Sequence, residues 1–209
     1  MRAYKFMDVQ FGLKSLREKR LKISRVHELN DPFELLPYNL ANKNHRQALQ
    51  KSREQLAAKR GLLCFSATWR DPVIWAHYSD KHRGICLGFE IPGDKDLCKR
   101  VNYRADRLPF PAALTLADAE AMLFTKYSNW KYEQEIRMWA QLKDPEDGLY
   151  FYDFDETLRL VAVIVGARCT LSRSDLTEAL GTLAKDVTLI KARPGFLRFE
   201  IVQQQRGLN

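Results

Sequence analysis

Hydrophobic and polar positions follow one another in short, regular patterns along this chain. Residues 62–66 (LLCFS) and 85–90 (ICLGFE) are apolar runs of the length that buried strands have. Between them, Asp71 and Pro72 predict a helix start, because aspartate accepts hydrogen bonds from free backbone N–H groups and proline has no N–H to leave unpaired. The stretch therefore predicts a strand, a helix that ends near Ser79, and a second strand.

Helix signals recur elsewhere in the chain. Asp8 is a candidate N-cap for a helix that follows a short strand. Residues 115–124 begin with a capping threonine and place Leu116, Ala119 and Leu123 on one apolar stripe. Residues 39–60 contain few large apolar side chains, which predicts a mostly solvent-facing helix that takes no part in chemistry.

Most of the remaining regular structure is predicted to be strand. Period-two alternation or a short apolar run occurs at residues 4–7, 21–26, 101–103, 135–140, 149–154, 158–167, 187–192 and 197–202. Many short strands with helices between and outside them are typical of the α+β class. The sequence predicts one compact, β-rich domain over residues 1–209, with peripheral helices.

The stretch YEQEIR places candidate acid–base groups close together. Glu133 and Glu135 are two residues apart, so on a strand they point the same way, and Arg137 extends the row. Adjacent carboxylates raise the pKa of one member, which suits acid–base catalysis, and a carboxylate also accepts a hydrogen bond from a ribose hydroxyl. The structural alternative is an exposed Glu and Arg pair on a sheet face.

The charge balance favours an anionic partner. The chain has 34 Lys and Arg against 26 Asp and Glu, a formal net charge of +8, which suits nucleic acid or an anionic cofactor. A solvated basic surface is the alternative, because the excess is densest at residues 14–25 and 43–60, which resemble exposed helix faces. The longest apolar run, residues 160–167, is far shorter than the ~20 residues that cross a bilayer, so we expect a cytoplasmic protein with no membrane partner.

Common catalytic and metal-binding motifs are absent from the sequence. The four cysteines are scattered without the close pairs of a zinc site, and neither GxxxxGK nor GxGxxG occurs. A thiol nucleophile at Cys64 with His77 as its base is disfavoured, because Cys64 lies within an apolar run. His77 and Tyr78 have a structural alternative as well, in which they pack with their polar ends satisfied. We predict no metal.

Six sequence blocks, taken in order, resemble a bacterial family. YKF near the start, LNDPFE, LLCFS, WAHYSD followed by HRG, WKYEQEIR and VAVIVGA are similar to the domain-of-unknown-function 2971 family, over essentially the whole chain. The name of that family states no activity, so the resemblance by itself assigns no chemistry.

A more distant resemblance, to ADP-ribosyltransferases, implies a compact, split β-rich fold and NAD as substrate. In those enzymes a first-strand residue, a small or hydroxyl residue that ends a later strand, an aromatic ring on the next helix and a late-strand glutamate form the NAD site in that order. Tyr4 or Lys5, Ser66, Tyr78 and Glu135 occur here in a similar order. The hydroxyl motif is FSAT instead of S-T-S, and no histidine or arginine stands at the first-strand position.

The resemblance implies a role for each of these residues. Glu135 would stabilise the positive charge that develops on the ribose carbon when nicotinamide leaves, and Tyr78 would stack on the nicotinamide ring. Ser66 and His77 would bond the nicotinamide amide, and Lys5 or Arg137 would face the diphosphate. The implied catalytic residues are Glu135 and Tyr78, and the implied cofactor contacts are Tyr4, Lys5, Ser66, His77 and Arg137.

We therefore expect an NAD-dependent ADP-ribosyltransferase-like enzyme of bacterial toxin or antiphage-defence type. Its acceptor would be nucleic acid or protein, and an antitoxin is a possible partner. The alternative is a non-catalytic nucleic-acid or partner-binding module in which Trp69, Trp75 and Tyr78 stack on bases. A third hypothesis, a hydrolase or nuclease that uses Glu133, Glu135 and His77, predicts dependence on a divalent metal.

Overall fold

The computed structural model describes residues 1–92 and 98–208, and the chain has the mixed α+β architecture that the sequence predicts. Within those residues the α-helices are α1 (Val9–Glu18), α2 (Lys43–Ala57), α3 (Pro72–Tyr78), α4 (Leu116–Phe124) and α5 (Arg173–Leu180). The strands are β1 (Arg2–Met7), β2 (Arg20–Ile23), β3 (Arg60–Ser66), β4 (Ile85–Glu90), β5 (Cys98–Arg100), β6 (Asn102–Arg104), β7 (Thr125–Tyr127), β8 (Glu135–Gln141), β9 (Tyr150–Asp153), β10 (Arg159–Val165), β11 (Thr188–Pro194) and β12 (Ile201–Gln203).

The residues group into two compact units. Unit 1 consists of Met1–Lys22, Phe65–Asp94 and Phe151–Asn209, and unit 2 of Ile23–Cys64 and Lys95–Tyr150. The boundary between them falls within β3, after Cys64. The single domain over residues 1–209 stays a prediction, and each unit is described by itself.

Unit 1 is built on a mixed sheet. Its strands follow the order β12-β11-β10-β4-β1, and the end of β3 pairs with β1. The β10 and β11 pair is parallel, whereas β1 and β4 are antiparallel from Arg2 opposite Glu90 to Met7 opposite Ile85. Every residue of β4 from Ile85 to Phe89 is buried, as its uninterrupted apolar run predicts.

Helix α3 forms where the Asp-Pro signal places it. Asp71 is the N-cap, and its side chain accepts hydrogen bonds from the backbone N–H groups of Val73 and Ile74. After this helix, Gly84 allows a close approach of two backbones, because a Cβ at this position would lie 2.1 Å from the carbonyl oxygen of Met7. The predicted helix and the strand after it are confirmed.

Unit 2 combines helices with shorter strands. A parallel ribbon of β6 and β7 lies in this unit, and β8 is paired with β5 in antiparallel register, with Lys99 opposite Arg137. An apolar cluster packs inside the unit and consists of Val26, Leu35, Leu62, Phe124 and Trp139. Helix α2 has the solvent-facing character that its composition predicts, since Leu49 is its buried residue.

Three sequence predictions are wrong in detail. The predicted apolar stripe of α4 is misplaced, because Leu116 is 92% exposed and the helix buries Met122 and Phe124 instead. The polar side of β8 is not exposed, since all residues from Glu135 to Ala140 are buried. Residues 197–200 form an irregular loop before β12 and not the first part of a strand.

Within the described ranges, none of the helices combines the length and apolarity that a bilayer crossing requires.

Candidate functional site

Five buried charged side chains of unit 2 contact one another through ion pairs. We call them the ion cluster, and its members are Glu34, Lys126, Glu133, Glu135 and Arg137. Their exposed fractions lie between 0% for Arg137 and 7% for Lys126. Charged side chains are rarely buried unless they are paired, so the pairing within the cluster decides what it does.

Glu34 and Lys126 reach the cluster from a turn and a short strand. The NDPFE segment makes a turn in which Asp31 Oδ1 accepts a hydrogen bond from the N–H of Phe33 at 2.9 Å, and Glu34 stands at the end of this turn. Lys126 is the central residue of β7. Asp31 and Pro32 therefore form a capped turn, and this turn places Glu34 in the ion cluster.

Glu133 and Glu135 belong to different elements. Glu133 is the last residue of the 3-10 helix Ser128–Glu133, whereas Glu135 is the first residue of β8. Between them, Gln134 has a left-handed backbone with φ of 45°, a conformation that costs energy for a residue other than glycine. The two carboxylates are therefore neighbours because of this tight reversal, and not because both lie on one strand face.

Arg137 holds two carboxylates at once. Its Nε donates to Glu135 Oε1 at 2.7 Å and one Nη2 proton is directed to Glu135 Oε2 at 3.1 Å, which is a two-pronged arginine–carboxylate pair. Nη2 also donates to a Glu34 carboxylate oxygen at 2.7 Å, and Nη1 donates to the carbonyl oxygen of Leu123 at 3.1 Å. The guanidinium thus has partners at all three of its nitrogens.

Lys126 contacts the three carboxylates of the cluster. Its Nζ lies 2.6 Å from Glu133 Oε2, 3.1 Å from Glu135 Oε2 and 3.4 Å from Glu34 Oε1. The ammonium also lies 4.9 Å from the centre of the Trp130 ring, within range of a cation–π interaction. The cluster therefore contains three carboxylates and two cations.

The protonation preferences of Glu135 and Glu34 differ. Burial alone would raise the pKa of Glu135, but the charge and hydrogen bonds of Arg137, with the charge of Lys126, outweigh it and lower this pKa to about 2. Burial raises the pKa of Glu34 above its ordinary value, and Arg137 and Lys126 only partly offset that effect. At neutral pH Glu135 is thus a fixed negative charge, and of these two carboxyl groups Glu34 is the one that takes up a proton first as pH falls.

A tyrosine fixes the start of β8. The backbone N–H of Glu135 donates to the hydroxyl oxygen of Tyr103 at 2.8 Å. Burial raises the pKa of Tyr103 to about 12, so the phenol stays protonated and neutral beside the cluster.

A pocket of about 370 Å³ opens in unit 2, and Lys126 forms part of its wall. The groups that give the wall its chemical character are three cations, two aromatic rings and one carboxylate, which belong to Arg104, Arg107, Lys126, Phe33, Tyr127 and Asp106. Phe33 is 56% exposed and Tyr127 is 43% exposed, so both rings present free surface. The volume lies in the lower part of the ~300–1,000 Å³ range of small-molecule sites.

The two arginines of the pocket differ in their hydrogen bonding. Arg107 Nη1 donates to the carbonyl oxygens of Leu36 at 2.6 Å and Tyr38 at 3.0 Å, which fixes this side chain against the wall. The guanidinium of Arg104 is exposed and has no hydrogen-bond or ion-pair partner among the described residues. Arg104 is therefore available to an incoming anion.

Some of the predicted cofactor contacts lie in unit 1. Tyr4 and Ser66 are brought together, because they are opposite each other in the antiparallel pair of β1 and β3. Ser66 is buried and its hydroxyl accepts a hydrogen bond from the N–H of Thr68 at 3.1 Å, while Lys5 follows Tyr4 on β1 and is half-buried. Their contact with NAD stays a prediction.

His77 and Tyr78 end helix α3, also in unit 1. His77 is exposed, Tyr78 is half-buried, and their rings meet edge to face with centres 6.1 Å apart. Trp75, a predicted base-stacking residue, is fully buried, packs edge to face against Phe6 and donates from Nε1 to the carbonyl oxygen of Trp69. The prediction that Trp75 stacks on a base is therefore wrong, because its ring belongs to the core.

The remaining predicted residues, Glu135 and Arg137, lie in the ion cluster of unit 2. The structural alternative for them, an exposed pair, is wrong, because both are buried. That Glu135 and Tyr78 line one cavity stays a prediction. Sequence reasoning missed the partners Glu34 and Lys126 and the pocket residue Arg104, although the NDPFE turn and the lysine that precedes the WKYEQEIR block were visible signals.

Comparisons of the chain with protein-family models, with curated proteins and with solved structures found no match. The similarity to the domain-of-unknown-function 2971 family and to ADP-ribosyltransferases therefore stays a prediction. In the part of the chain that the structure describes, His, Cys, Asp and Glu side chains do not gather in groups of three or more that could hold a metal ion.

Proposed function

We propose that unit 2 binds a nucleotide in the pocket beside Lys126. The observation that supports this proposal is the composition of the pocket wall, in which the cations Arg104, Arg107 and Lys126 surround a space of about 370 Å³ together with the exposed rings of Phe33 and Tyr127. Guanidinium and ammonium groups bind phosphate, and aromatic rings stack on bases whatever their sequence.

Each part of the wall has a distinct task in this proposal. Arg104 has free donors and forms the first contact with the phosphate. Arg107 adds positive charge from a fixed position, because its guanidinium is bonded to backbone carbonyls. Lys126 is held by the carboxylates of the ion cluster, which neutralise its charge. The ion cluster thus positions Lys126 at the pocket wall.

The test is a binding titration by calorimetry with AMP, ADP and NAD, and with adenosine as the phosphate-free comparison. We expect the phosphorylated ligands to bind more tightly than adenosine and to weaken as salt increases. Arg104→Gln should weaken nucleotide binding about tenfold or more, because a hydrogen bond to a charged group is lost. Arg100→Gln is the matched control, since Arg100 is also exposed but does not line the pocket.

Failure of every nucleotide to bind would contradict the proposal, and so would an equal loss in the Arg104→Gln and Arg100→Gln variants.

A second candidate function is glycosyl transfer from NAD, as in an ADP-ribosyltransferase-like fold. The supporting observation is that Glu135 is ionised at neutral pH, with a pKa of about 2, and that its Oε2 lies 3.1 Å from the ammonium of Lys126, a residue that lines the pocket. In this reaction the bond between nicotinamide and ribose C1′ breaks, nicotinamide leaves with the bonding electrons, and an acceptor nucleophile attacks C1′. A fixed carboxylate stabilises the positive charge on C1′.

Release of nicotinamide from labelled NAD, in the presence of cell lysate as acceptor, tests the second candidate. We expect release by the wild type and loss of release in Glu135→Gln at a temperature where the variant is folded by circular dichroism. Binding of NAD without any nicotinamide release would remove the transferase proposal and leave nucleotide binding intact.

A further inference from the structure

The loop 195–200 of unit 1 presents apolar side chains to solvent. Phe196 is 86% exposed, Leu197 is 98% exposed and Phe199 is 102% exposed. Exposed apolar groups that lie together on a protein surface usually mark a site of interaction.

This loop is ordered by its own backbone. The N–H of Gly195 donates to the carbonyl oxygen of Glu200 at 2.7 Å, and the N–H of Glu200 donates to that of Arg198 at 2.9 Å. The N–H of Ile201 donates to the carbonyl oxygen of Arg70 at 2.7 Å, which joins the loop to the segment that contains Trp69. The backbone that carries the exposed rings is therefore ordered before any partner arrives, which reduces the entropy cost of binding.

Arginines alternate with these rings. The Arg193 guanidinium lies 4.1 Å from the centre of the Phe196 ring, and the Arg70 guanidinium lies 5.4 Å from the centre of the Trp69 ring. Arg198 is exposed between Leu197 and Phe199. We call this set the aromatic–arginine surface, and it consists of Trp69, Arg70, Arg193, Phe196, Arg198 and Phe199.

The surface is positively charged. Residues 69–70 and 193–200 contain three arginines and one carboxylate, that of Glu200, which lies 3.8 Å from Arg70. The whole chain has a formal net charge of +8, so long-range attraction also favours a polyanion.

We propose that the aromatic–arginine surface binds single-stranded nucleic acid. The rings would stack on unpaired bases and the arginines would contact the phosphates, which is how sequence-independent single-strand binding works. A duplex would bind more weakly, because its bases are already stacked inside the helix. The pocket of unit 2 takes no part in this binding, so the two proposals are independent.

The experiment measures the anisotropy of a fluorescein-labelled oligothymidylate on titration with the full chain. We expect saturable binding that is tighter than to a duplex of equal length and that weakens as salt increases. The double leucine variant, which combines Phe196→Leu and Phe199→Leu, keeps the loop apolar but removes both rings. It should weaken binding about tenfold or more. Leu197→Ser is the matched control and should bind like the wild type.

A separate variant tests the phosphate contacts. Arg198→Gln should reduce the slope of log K against log salt by about 0.7, because one phosphate contact is lost. Arg100→Gln, at an exposed position of β5, should leave oligothymidylate binding unchanged.

Three results would overturn the proposal. One is the absence of oligothymidylate binding by the folded wild type, and another is equal binding by the double leucine variant. The third is binding to phosphatidylserine vesicles that Leu197→Ser abolishes and the double leucine variant retains, because that pattern identifies an anionic lipid surface as the partner.

Discussion

The ion cluster and the loop 195–200 depart in opposite directions from the usual distribution of residues. In unit 2, three carboxylates and two cations are at least 93% removed from solvent, whereas in unit 1 three large apolar side chains are at least 86% exposed. Apolar side chains usually lie inside and charged ones outside, because water solvates charge and excludes hydrocarbon. The ion cluster therefore buries charges that water would solvate, and the loop exposes apolar side chains that water excludes.

The difference between the two regions lies in where the missing interactions are supplied. The ion cluster compensates for lost hydration within the fold, since Arg137 has partners at each nitrogen and Lys126 contacts three carboxylates. The loop is ordered by backbone hydrogen bonds, and its exposed rings have no comparable burial within the chain. We infer that the cluster stabilises the fold and positions Lys126, whereas the loop serves binding.

The largest effect is expected from Arg137→Met. This change leaves three buried carboxylates with one cation, so the free energy of unfolding should fall by about 3–5 kcal/mol. Urea unfolding followed by circular dichroism measures it. Arg100→Met, at an exposed position of β5, should stay within about 0.5 kcal/mol of the wild type. Similar small losses in both variants would show that the cluster does not stabilise the fold.

The pH dependence of stability should differ between two members of the cluster. The pKa of Glu135 is lowered from 4.5 to about 2, so its contribution of about 3 kcal/mol is present above its unfolded pKa and is lost as pH falls through about 2. Glu135→Gln should therefore lower stability at neutral pH and flatten the decline between about pH 5 and pH 2.

Glu34 provides the comparison of opposite sign. Its pKa is raised, so its stabilising contribution is complete below the unfolded pKa and is lost as pH rises through the folded pKa. Glu34→Gln should therefore cost less stability at neutral pH than Glu135→Gln does. Urea unfolding at a series of pH values measures both, and equal effects of the two substitutions at neutral pH would contradict the opposite directions of the two pKa shifts.

The smallest effect on stability is expected in the loop. Phe196→Ser, Leu197→Ser and Phe199→Ser combined should change the free energy of unfolding by less than about 0.5 kcal/mol, because these side chains bury almost nothing. Ile201→Ala, at the buried first position of β12, is the control and should cost about 2–5 kcal/mol. A large loss in the triple variant would mean that the loop supports the fold instead of a partner.

Local signals in the sequence predicted much of the secondary structure. The Asp-Pro pair at residues 71–72 specifies the start of α3, and Thr115 specifies the start of α4, because a capping side chain acts on N–H groups two or three residues away. The apolar run that predicts the burial of β4 likewise lies within the strand itself. These features need no information from distant parts of the chain.

Only part of the candidate site could be predicted, because its residues come from distant parts of the chain. Glu135 and Arg137 attract attention as a row of charges, but their alternation is the same for a solvent-facing strand as for a buried one. Glu34 is 103 residues from Arg137 in the chain, yet their side chains are 2.7 Å apart. The pocket has the same origin, since Phe33 and Arg104 come from separate segments.

The sequence by itself determined the α+β class, the helix starts and the basic charge of this protein. Caps and periodicity depend on residues that are close together in the chain, and composition does not depend on residue order. Only the tertiary structure decided which charges are buried, which rings are exposed and which side chains line the pocket. Burial and ion pairing depend on segments that meet after the chain folds. The electrostatic energy of an ion pair becomes larger as water is removed from around it.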